Sequence, residues 1–524
     1  MRIIIAISLM FLSLNISSSA QDNDRIAALK AEVSKNIDDN KKMSQEIIDS
    51  LFSFSELGFQ EYETQNYVSN LLEKNNFKVE KGIAGLPSAW WATWGSGHPV
   101  IAIGTDVDGI PKASQKPGVA YKDPLIEGGP GHGEGHNSGM AVLITAALAL
   151  QDVMERDKIS GTIIIWPGIA EELLAGKAFF TREGRFDGVD AVLFTHVGSG
   201  LGVSWGKANG TGLISVEYTF KGEAAHGAGA PWKGKSALDG VELMNAGWNF
   251  RREHLHPLQR SHYIISDGGD QPNVVPQTAS VWYYIREMNT ENILENYEKL
   301  NQVAAGAALM TDTTVTHRVI GGAWPRHYNK PIAEAMYENI KAVGMPEWDE
   351  KDQIFAKAVQ KLADNEQTGL STEVRELRGP SEHPISGGSD DIGDISWLVP
   401  TINLNYPSNI GSLGGHNWRE TIAMATPVAH KGANVGAKVM ALTMVDLLMN
   451  PDLITNANKY FNEVQLIDTT YVPFLSATEK PAIEKNVETM ARFKTQLKEL
   501  YYDASKYDTY MEQLGITYPT LPKE

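Results

Sequence analysis

Cysteine is absent from the 524 residues. That absence excludes disulfides, thiolate metal ligands, a cysteine nucleophile and a lipid anchor on cysteine. Stability must then come from a large buried core. Positive charge is also scarce. Lys and Arg number 46 against 64 Asp and Glu, a net charge of −18, which argues against nucleic acid and anionic membranes as partners. Past the N-terminus no stretch approaches the ~20 uninterrupted apolar residues of a membrane span. The composition, 42% hydrophobic and 21% charged, is that of an ordinary globular protein. The length suggests two to four domains.

The first residues, "MRIIIAISLMFLSLNISSSAQDNDR", have a basic start at Arg2, an apolar stretch from Ile3 to Ile16 and small residues at Ser18, Ser19 and Ala20 before Gln21. This pattern predicts a signal peptide over residues 1–20, and hence a periplasmic or secreted chain. The alternative is an uncleaved anchor helix.

From Asp22 to Phe77 the apolar residues recur at helical spacing. Strand-like runs follow at "AWWATWG", "PVIAIGTDVDG", "GTIIIWPG" and "VDAVLFTHVG". A helix is predicted over Met140–Met154, with Asn137 or Ser138 as its cap, and another over "EELLAGKAFFTREG". Alternating strands and helices predict an α/β domain with a sheet flanked by helices. Between residues 206 and 322 the pattern becomes that of a compact α+β unit with about four strands and two helices. It reads as an insertion, because α/β character returns with "PTINLNYP" and a long helix after Thr426. The predicted division is a catalytic domain over 21–205 and 323–451, a lid or dimerisation domain over 206–322, and a helical C-terminal extension over 452–524.

The candidate chemical groups fall at strand ends. Asp106 and Asp108 end one strand, Glu171 and Glu172 follow another, and His196 ends a third. His132, Glu134 and His136 lie on "GGPGHGEGHNSG" before a helix. Carboxyl ends of strands are where open α/β sheets collect their sites. His and carboxylate gathered there suit a metal site. The glycine-rich loop lacks the lysine of a phosphate-binding loop, and Glu134 would repel phosphate. Adjacent Glu171 and Glu172 can divide labour: one ligates a metal while the other takes a proton from the water whose pKa the metal lowers. The competing reading is an acidic first turn that complements a helix dipole.

The stretches "SELGFQEYET", "GHGEGHN", "PGIAEELLAGKAFF", "KGEAAHGAGAPWKGKSALDGVELM", "DGGDQPNVVPQTA", "GAALMTDTTV", "GGSDDIGDISW" and "GGHNW" occur in that order between Ser55 and Leu448. With them the chain resembles the M20 family of metal-dependent amidohydrolases and peptidases, in particular its aminobenzoyl-glutamate hydrolase B-subunit-like branch. The resemblance implies an α/β catalytic domain holding two divalent metal ions, Zn or Mn, and an inserted lid that forms a homodimer. It puts Glu134, His136, Glu172, His196 and His416 on metal-ligand positions and Glu171 on the general base. Asp108 falls on an acidic residue that orients a ligand, and His226 on a lid residue that reaches across the dimer. Asn273 falls on a substrate-contacting lid residue. The charge and position of Arg286 suggest a partner for a substrate carboxylate. The implied reaction is hydrolysis of an amide bond in an N-acyl amino acid or related small conjugate. Alternatives are a dipeptidase or carboxypeptidase, or a metal-binding relative without catalysis.

The branch usually reads GHGCGHN, and Glu134 stands here in place of that cysteine. The −1 charge survives, while the harder oxygen shifts preference toward Mn²⁺ or an oxygen-tolerant Zn²⁺ site. It also removes a thiol open to oxidation. The alternative is that one metal site is lost and Glu134 faces solvent.

Overall fold

The computed structural model describes residues 23–207, 210–384 and 387–523. The signal-peptide expectation for residues 1–20 lies outside them. Runs rich in Ile, Val, Ala and Trp form the central strands of a sheet, with little exposed surface, as strands covered on both faces must, while the charged edge strand KVEK stays largely exposed. In chain order the strands are β1 (Lys78–Lys81), β2 (Trp90–Ser96), β3 (Val100–Asp106), β4 (Gly161–Gly168), β5 (Ala191–Gly198) and β6 (Gly202–Val203). The short β7 (Gly206–Lys207) leads out of this domain. The inserted unit supplies β8 (Gly212–Lys221), β9 (Arg260–Asp267), β10 (Thr278–Glu287) and β11 (Thr314–Ala323). The chain returns through β12 (His327–Tyr328) to β13 (Thr401–Pro407).

The large sheet runs β1-β2-β4-β3-β5-β13-β6. The pairs β3–β4, β3–β5 and β5–β13 are parallel, and β1, β2 and β6 join antiparallel. All four parallel strands end on one edge of the sheet, so the turns after β3, β4 and β5 open there together. Helices Lys41–Phe54, Gly139–Asp157 and Pro427–Met449 pack against one another beside the sheet. Pro427–Met449 is long and apolar enough to cross a membrane, but 78% of its apolar window is buried inside the protein as a core helix.

The inserted sheet, ordered β11-β8-β10-β9, is antiparallel and alternates. Along β10, Ala279, Val281, Tyr283 and Ile285 are buried against helices Ala237–Arg252 and Thr290–Met310, while the residues between them are less covered. A two-layer α+β unit buries one sheet face in this way.

Two expectations need correction. The segment from Glu171 is not one helix. Glu171–Leu173 is a single 3₁₀ turn, bounded by Ala170 (φ 50°) and Leu174 (φ 51°), and the α-helix starts at Lys177. The tail is not mostly helix. Its helical parts are Pro451–Tyr460, a π turn Phe461–Gln465, Val487–Leu500 and Tyr510–Gln513. The remainder is extended chain with Pro473 and Pro481, which cannot continue a helix interior. This extended part binds both units. Lys485 Nζ pairs with Glu217 of β8 at 2.8 Å, Gln60 donates to the Ile483 and Lys485 carbonyls, and Asn486 donates to the Gly58 carbonyl.

Candidate metal centre

The helix after the glycine-rich loop begins at Gly139, and Ser138 occupies its N-cap without a side-chain cap bond. Ser138 and Asn137 serve the tertiary structure instead. Ser138 Oγ donates to the Gly135 carbonyl and meets Tyr406, while Asn137 donates to the Ile48 and Met424 carbonyls. Between Glu134 and His136, Gly135 takes φ +78°, a conformation an L side chain resists. That bend aims both neighbours at the carboxyl ends of β3–β5. His132 turns away: it is buried, bonded to the Leu51 carbonyl and outside the cluster, and burial drops its pKa to about 3.

His136 Nδ1 lies 3.0 Å from the Asp108 carbonyl, and His196 Nδ1 lies 2.9 Å from the Val197 carbonyl. A carbonyl only accepts, so each Nδ1 carries the proton and each Nε2 carries a lone pair. Those two Nε2 atoms face each other at 3.3 Å. Glu134 Oε2 is 3.9 Å and 3.7 Å from them. Two lone pairs and a carboxylate converging on one point repel unless a cation lies among them. Backbone-anchored Nδ1 with a free Nε2 is also how metal-binding histidines are held.

Glu172 adds to this. Its Oε1 is buried without a hydrogen-bond partner, 4.0 Å from His136 Nδ1. Burial, then the nearby Glu134 and Asp108 carboxylates, push Glu172 well above the usual carboxylate range. Glu171 is buried too, and burial with Asp106 and Asp390 raises it in the same direction. His416 closes the ring from the far side of the sequence. Its Nε2 is 2.7 Å from Glu134 Oε1 and its Nδ1 is 3.5 Å from Glu172 Oε2. The Glu134 hydrogen bond raises the His416 pKa. Burial would raise Glu134, but His416 and His196 hold it down to about 2. His416 reaches this place through left-handed backbone at Gly414 and Gly415, which glycine adopts freely, and at His416 itself (φ 44°), where a non-glycine residue is strained, as happens at functional sites.

Asp108 is the organiser beneath. Its two carboxylate oxygens accept the Glu171 and Glu172 backbone N–H groups at 3.2 and 3.1 Å, and its carbonyl meets His136. Burial pushes its pKa up to about 7. Ala170, strained at φ 50°, donates its N–H to buried Glu61. The Glu171–Glu172 turn is therefore pinned from two sides.

Sequence reasoning missed the cation under the centre. Lys177 is fully buried, with Nζ 2.5 Å from Asp106, 3.3 Å from Asp390 and in contact with Asp391. Burial alone would lower its pKa, but the three aspartates hold it well above the ordinary value. A charged residue inside the apolar run "AGKAFF" was the available signal. Even with Lys177 and Arg326, the carboxylates of Asp106, Asp108, Glu134, Glu171, Glu172, Asp390 and Asp391 are in excess. Such an excess fits divalent cations and is costly without them. Glu134, His136, Glu171 and Glu172 offer ligand atoms within 4.8 Å of one another, as do Asp106, His136 and His196.

The centre opens into a cavity of about 1290 Å³ shared with the lid, whose walls include Glu134, Glu171, Glu172, His196, Arg286 and His416. Tyr284 of β10 donates to the Glu172 carbonyl at 3.3 Å, so the lid touches the Glu171–Glu172 turn directly. Arg286 donates to Ser389 and stacks on Tyr284. His226 and Asn273 are not brought to this cavity within one chain. They sit together on an exposed corner of the lid, where Gly227 N–H donates to the Asn273 carbonyl and His226 Nδ1 accepts from Ala228 and Gly229.

Residues 211–309 match the family model of the peptidase dimerisation domain. The chain is 32% identical over 463 residues to the B subunit of p-aminobenzoyl-glutamate hydrolase from Escherichia coli strain K12, covering 83% of this chain and 95% of that protein. The chain belongs to the M20 peptidase family. The chain is also similar to the mouse Xaa-Arg dipeptidase, 27% identical across 84% of this chain and 95% of that protein. The fold matches the aminobenzoyl-glutamate utilization protein of Klebsiella pneumoniae with a TM-score of 0.51 at 16% identity, covering 82% and 98% of the two chains. As an M20 member the chain is an enzyme that hydrolyses amide bonds, built from an α/β catalytic domain with an inserted dimerisation domain.

Proposed function

We propose that the protein is an exported N-acyl amino acid amidohydrolase acting on small conjugates of the aminobenzoyl-glutamate kind, with two divalent ions, Zn or Mn, at the described centre. Glu134, His136, Glu172, His196 and His416 would hold the metals. The observation that carries this is the pair of unprotonated Nε2 atoms 3.3 Å apart beside Glu134, with Glu171 buried next to them. When bound, the ions supply Lewis acidity, polarising the scissile carbonyl and lowering the pKa of the attacking water. Glu171 takes the water's proton and returns it to the leaving nitrogen. Asp108 fixes the turn that carries Glu171 and Glu172. Arg286 receives the substrate carboxylate from the lid side.

A homodimer through the lid is part of this reading, with His226 and Asn273 completing the partner's site. It is supported by the dimerisation-domain match and by the exposed corner that presents both residues away from their own centre. The division at residues 206 and 322 belongs to the same proposal, as does export, which rests on the pattern of residues 1–20. A dipeptidase reading is favoured by one observation, the similarity to the mouse dipeptidase. Turnover of the metal-loaded protein on a panel of N-acyl amino acids and dipeptides separates the two. Activity on dipeptides alone overturns the amidohydrolase reading.

Glu134→Gln should bind metal more weakly, because a neutral amide oxygen is a poorer partner for a divalent cation than a carboxylate. Glu134→Cys should retain metal, prefer Zn²⁺ and become sensitive to oxidant. Isothermal titration with Zn²⁺ and Mn²⁺ checks both, and unchanged affinity in Glu134→Gln removes Glu134 from the ligand set. A His226→Ala chain mixed with a Glu171→Ala chain, each inactive alone, should regain part of the activity, since one of the two heterodimer sites carries neither lesion. No recovery after demonstrated subunit exchange excludes action across the dimer.

A further inference from the structure

The cavity beside the metal centre has a basic wall that the proposed reaction leaves unused. It consists of residues 202–207 and 375–381, and it presents Arg375, Arg378 and Lys207 to the same space as the catalytic turn. We propose that Arg375 and Arg378 form a subsite for a second anionic group of the substrate, carried at the far end of its acyl chain. This rests on the amidohydrolase reading and deepens it. The preferred substrate would be a dicarboxylic acid monoamide of an amino acid.

The two arginines are held by backbone. Arg375 N–H donates to the Leu201 carbonyl at 2.9 Å, Trp205 N–H donates to the Arg378 carbonyl at 3.0 Å, and Ser204 bridges Arg378. Glycine makes room for the Arg375 side chain. A Cβ on Gly200 would lie 2.6 Å from Arg375 Nε, and one on Gly202 would lie 2.9 Å from Arg375 Cβ.

Counter-charge is missing. Among the described residues no carboxylate pairs with Arg375 or Arg378; the Arg375 guanidinium donates to Ser199 Oγ, at 3.3 Å. Glu376 lines the same cavity but forms no ion pair with either. Partial burial, then the neighbouring Arg378, lowers the Arg375 pKa, and both arginines keep exposed surface for a ligand to meet. The opposite wall repeats the pattern, where Arg260 stands directly across from Arg286 in the β9–β10 ladder. Like charges in that position are unfavourable; Arg260 turns to the Pro257 and Gln259 carbonyls and Arg286 to His262 and Ser389.

The register sets the reach. His196 of β5 lies beside Asn405 of β13, and Asn405 lies beside Gly202 of β6, against which Arg375 packs. Two strand spacings of ~4.8 Å put that edge about 10 Å from the His196 backbone. An amide at the metal centre, a carboxylate on Arg286 and a second anion on this wall then describe one small, elongated molecule.

The test uses N-adipoyl-L-glutamate and N-hexanoyl-L-glutamate, which match in length and differ in the terminal carboxylate. The variants are Arg375→Gln and Arg378→Gln, each checked for an unchanged melting midpoint. Steady-state kinetics should show KM for the adipoyl conjugate rising about 10- to 100-fold, the loss of one charge-assisted bond, with kcat and the hexanoyl KM unchanged. Equal changes for both substrates, or none for either, overturn the subsite. Calorimetric binding of the same two probes to metal-loaded Glu171→Ala protein gives the answer without turnover. If the wild type hydrolyses neither conjugate nor any N-acyl amino acid, the proposed function fails, while the binding comparison still decides the subsite. Arg378→Glu serves as a gain-of-function check. It should bind N-(6-aminohexanoyl)-L-glutamate more tightly than the wild type does, and a failure to do so counts against the subsite.

Discussion

Glu171→Ala protein keeps its metal and loses turnover by about 10²–10⁴-fold or more, the range for a lost general acid–base group. The expectation follows from how the turn is built. Asp108 accepts the N–H of both Glu171 and Glu172, so the backbone at this point is held independently of the Glu171 side chain. Glu172, His136, His196, His416 and Glu134 all remain in place. The loss should appear in kcat, with metal content unchanged by elemental analysis. If turnover stays near wild type with metal bound, Glu171 is not the base. If metal is lost in proportion to activity, Glu171 is instead a ligand, as its closeness to Glu134, His136 and Glu172 would also permit.

Lys177→Met destabilises the protein by about 3–5 kcal/mol, the cost of removing one partner from a buried charge cluster. The ammonium is wholly enclosed and touches Asp106, Asp390 and Asp391. Methionine keeps the length and much of the volume, so the lost charge dominates over cavity formation. The three aspartates would then stand together with only Arg326, 3.8 Å from Asp390, as counter-charge, each strongly desolvated. Adding Asp391→Asn to the Lys177→Met variant should recover part of the loss, because one repelling charge is removed. Urea unfolding followed by tryptophan fluorescence reads both effects. A midpoint unchanged in Lys177→Met would show that the cluster is balanced by something other than this lysine.

Much of the fold is visible in residue order alone. "PVIAIGTDVDG", "GTIIIWPG" and "VDAVLFTHVG" are β-branched runs ending in polar residues, and strands of one parallel sheet must release those residues on one edge. The meeting of Asp108, His136, Glu171, Glu172 and His196 follows from that rule. What was not legible depends on contacts between distant segments. The partners of Lys177 lie 71, 213 and 214 residues away, and no local period encodes them. Arg375 and Arg378 likewise gain meaning only when their segment docks against residues 200–205. The break after Glu172 was missed because it depends on left-handed Ala170 and Leu174, residues whose propensities favour helix. The tail was misread because its charge resembles an amphipathic helix, whereas tertiary bonds to Glu217, Gly58 and Gln60 hold it extended.

The central claim is that divalent ions at the Glu134–His136–Glu172–His196–His416 centre drive amide hydrolysis with Glu171 as the base. Its most direct test is a titration of chelator-stripped protein with Zn²⁺ or Mn²⁺, reading bound metal per chain and hydrolysis of an N-acyl glutamate in the same samples. The expected result is no turnover without metal, activity that rises with occupancy toward two ions per chain, and a Glu171→Ala protein that fills equally but stays inactive. Full turnover in metal-free protein, or a centre that takes up no metal, would contradict it.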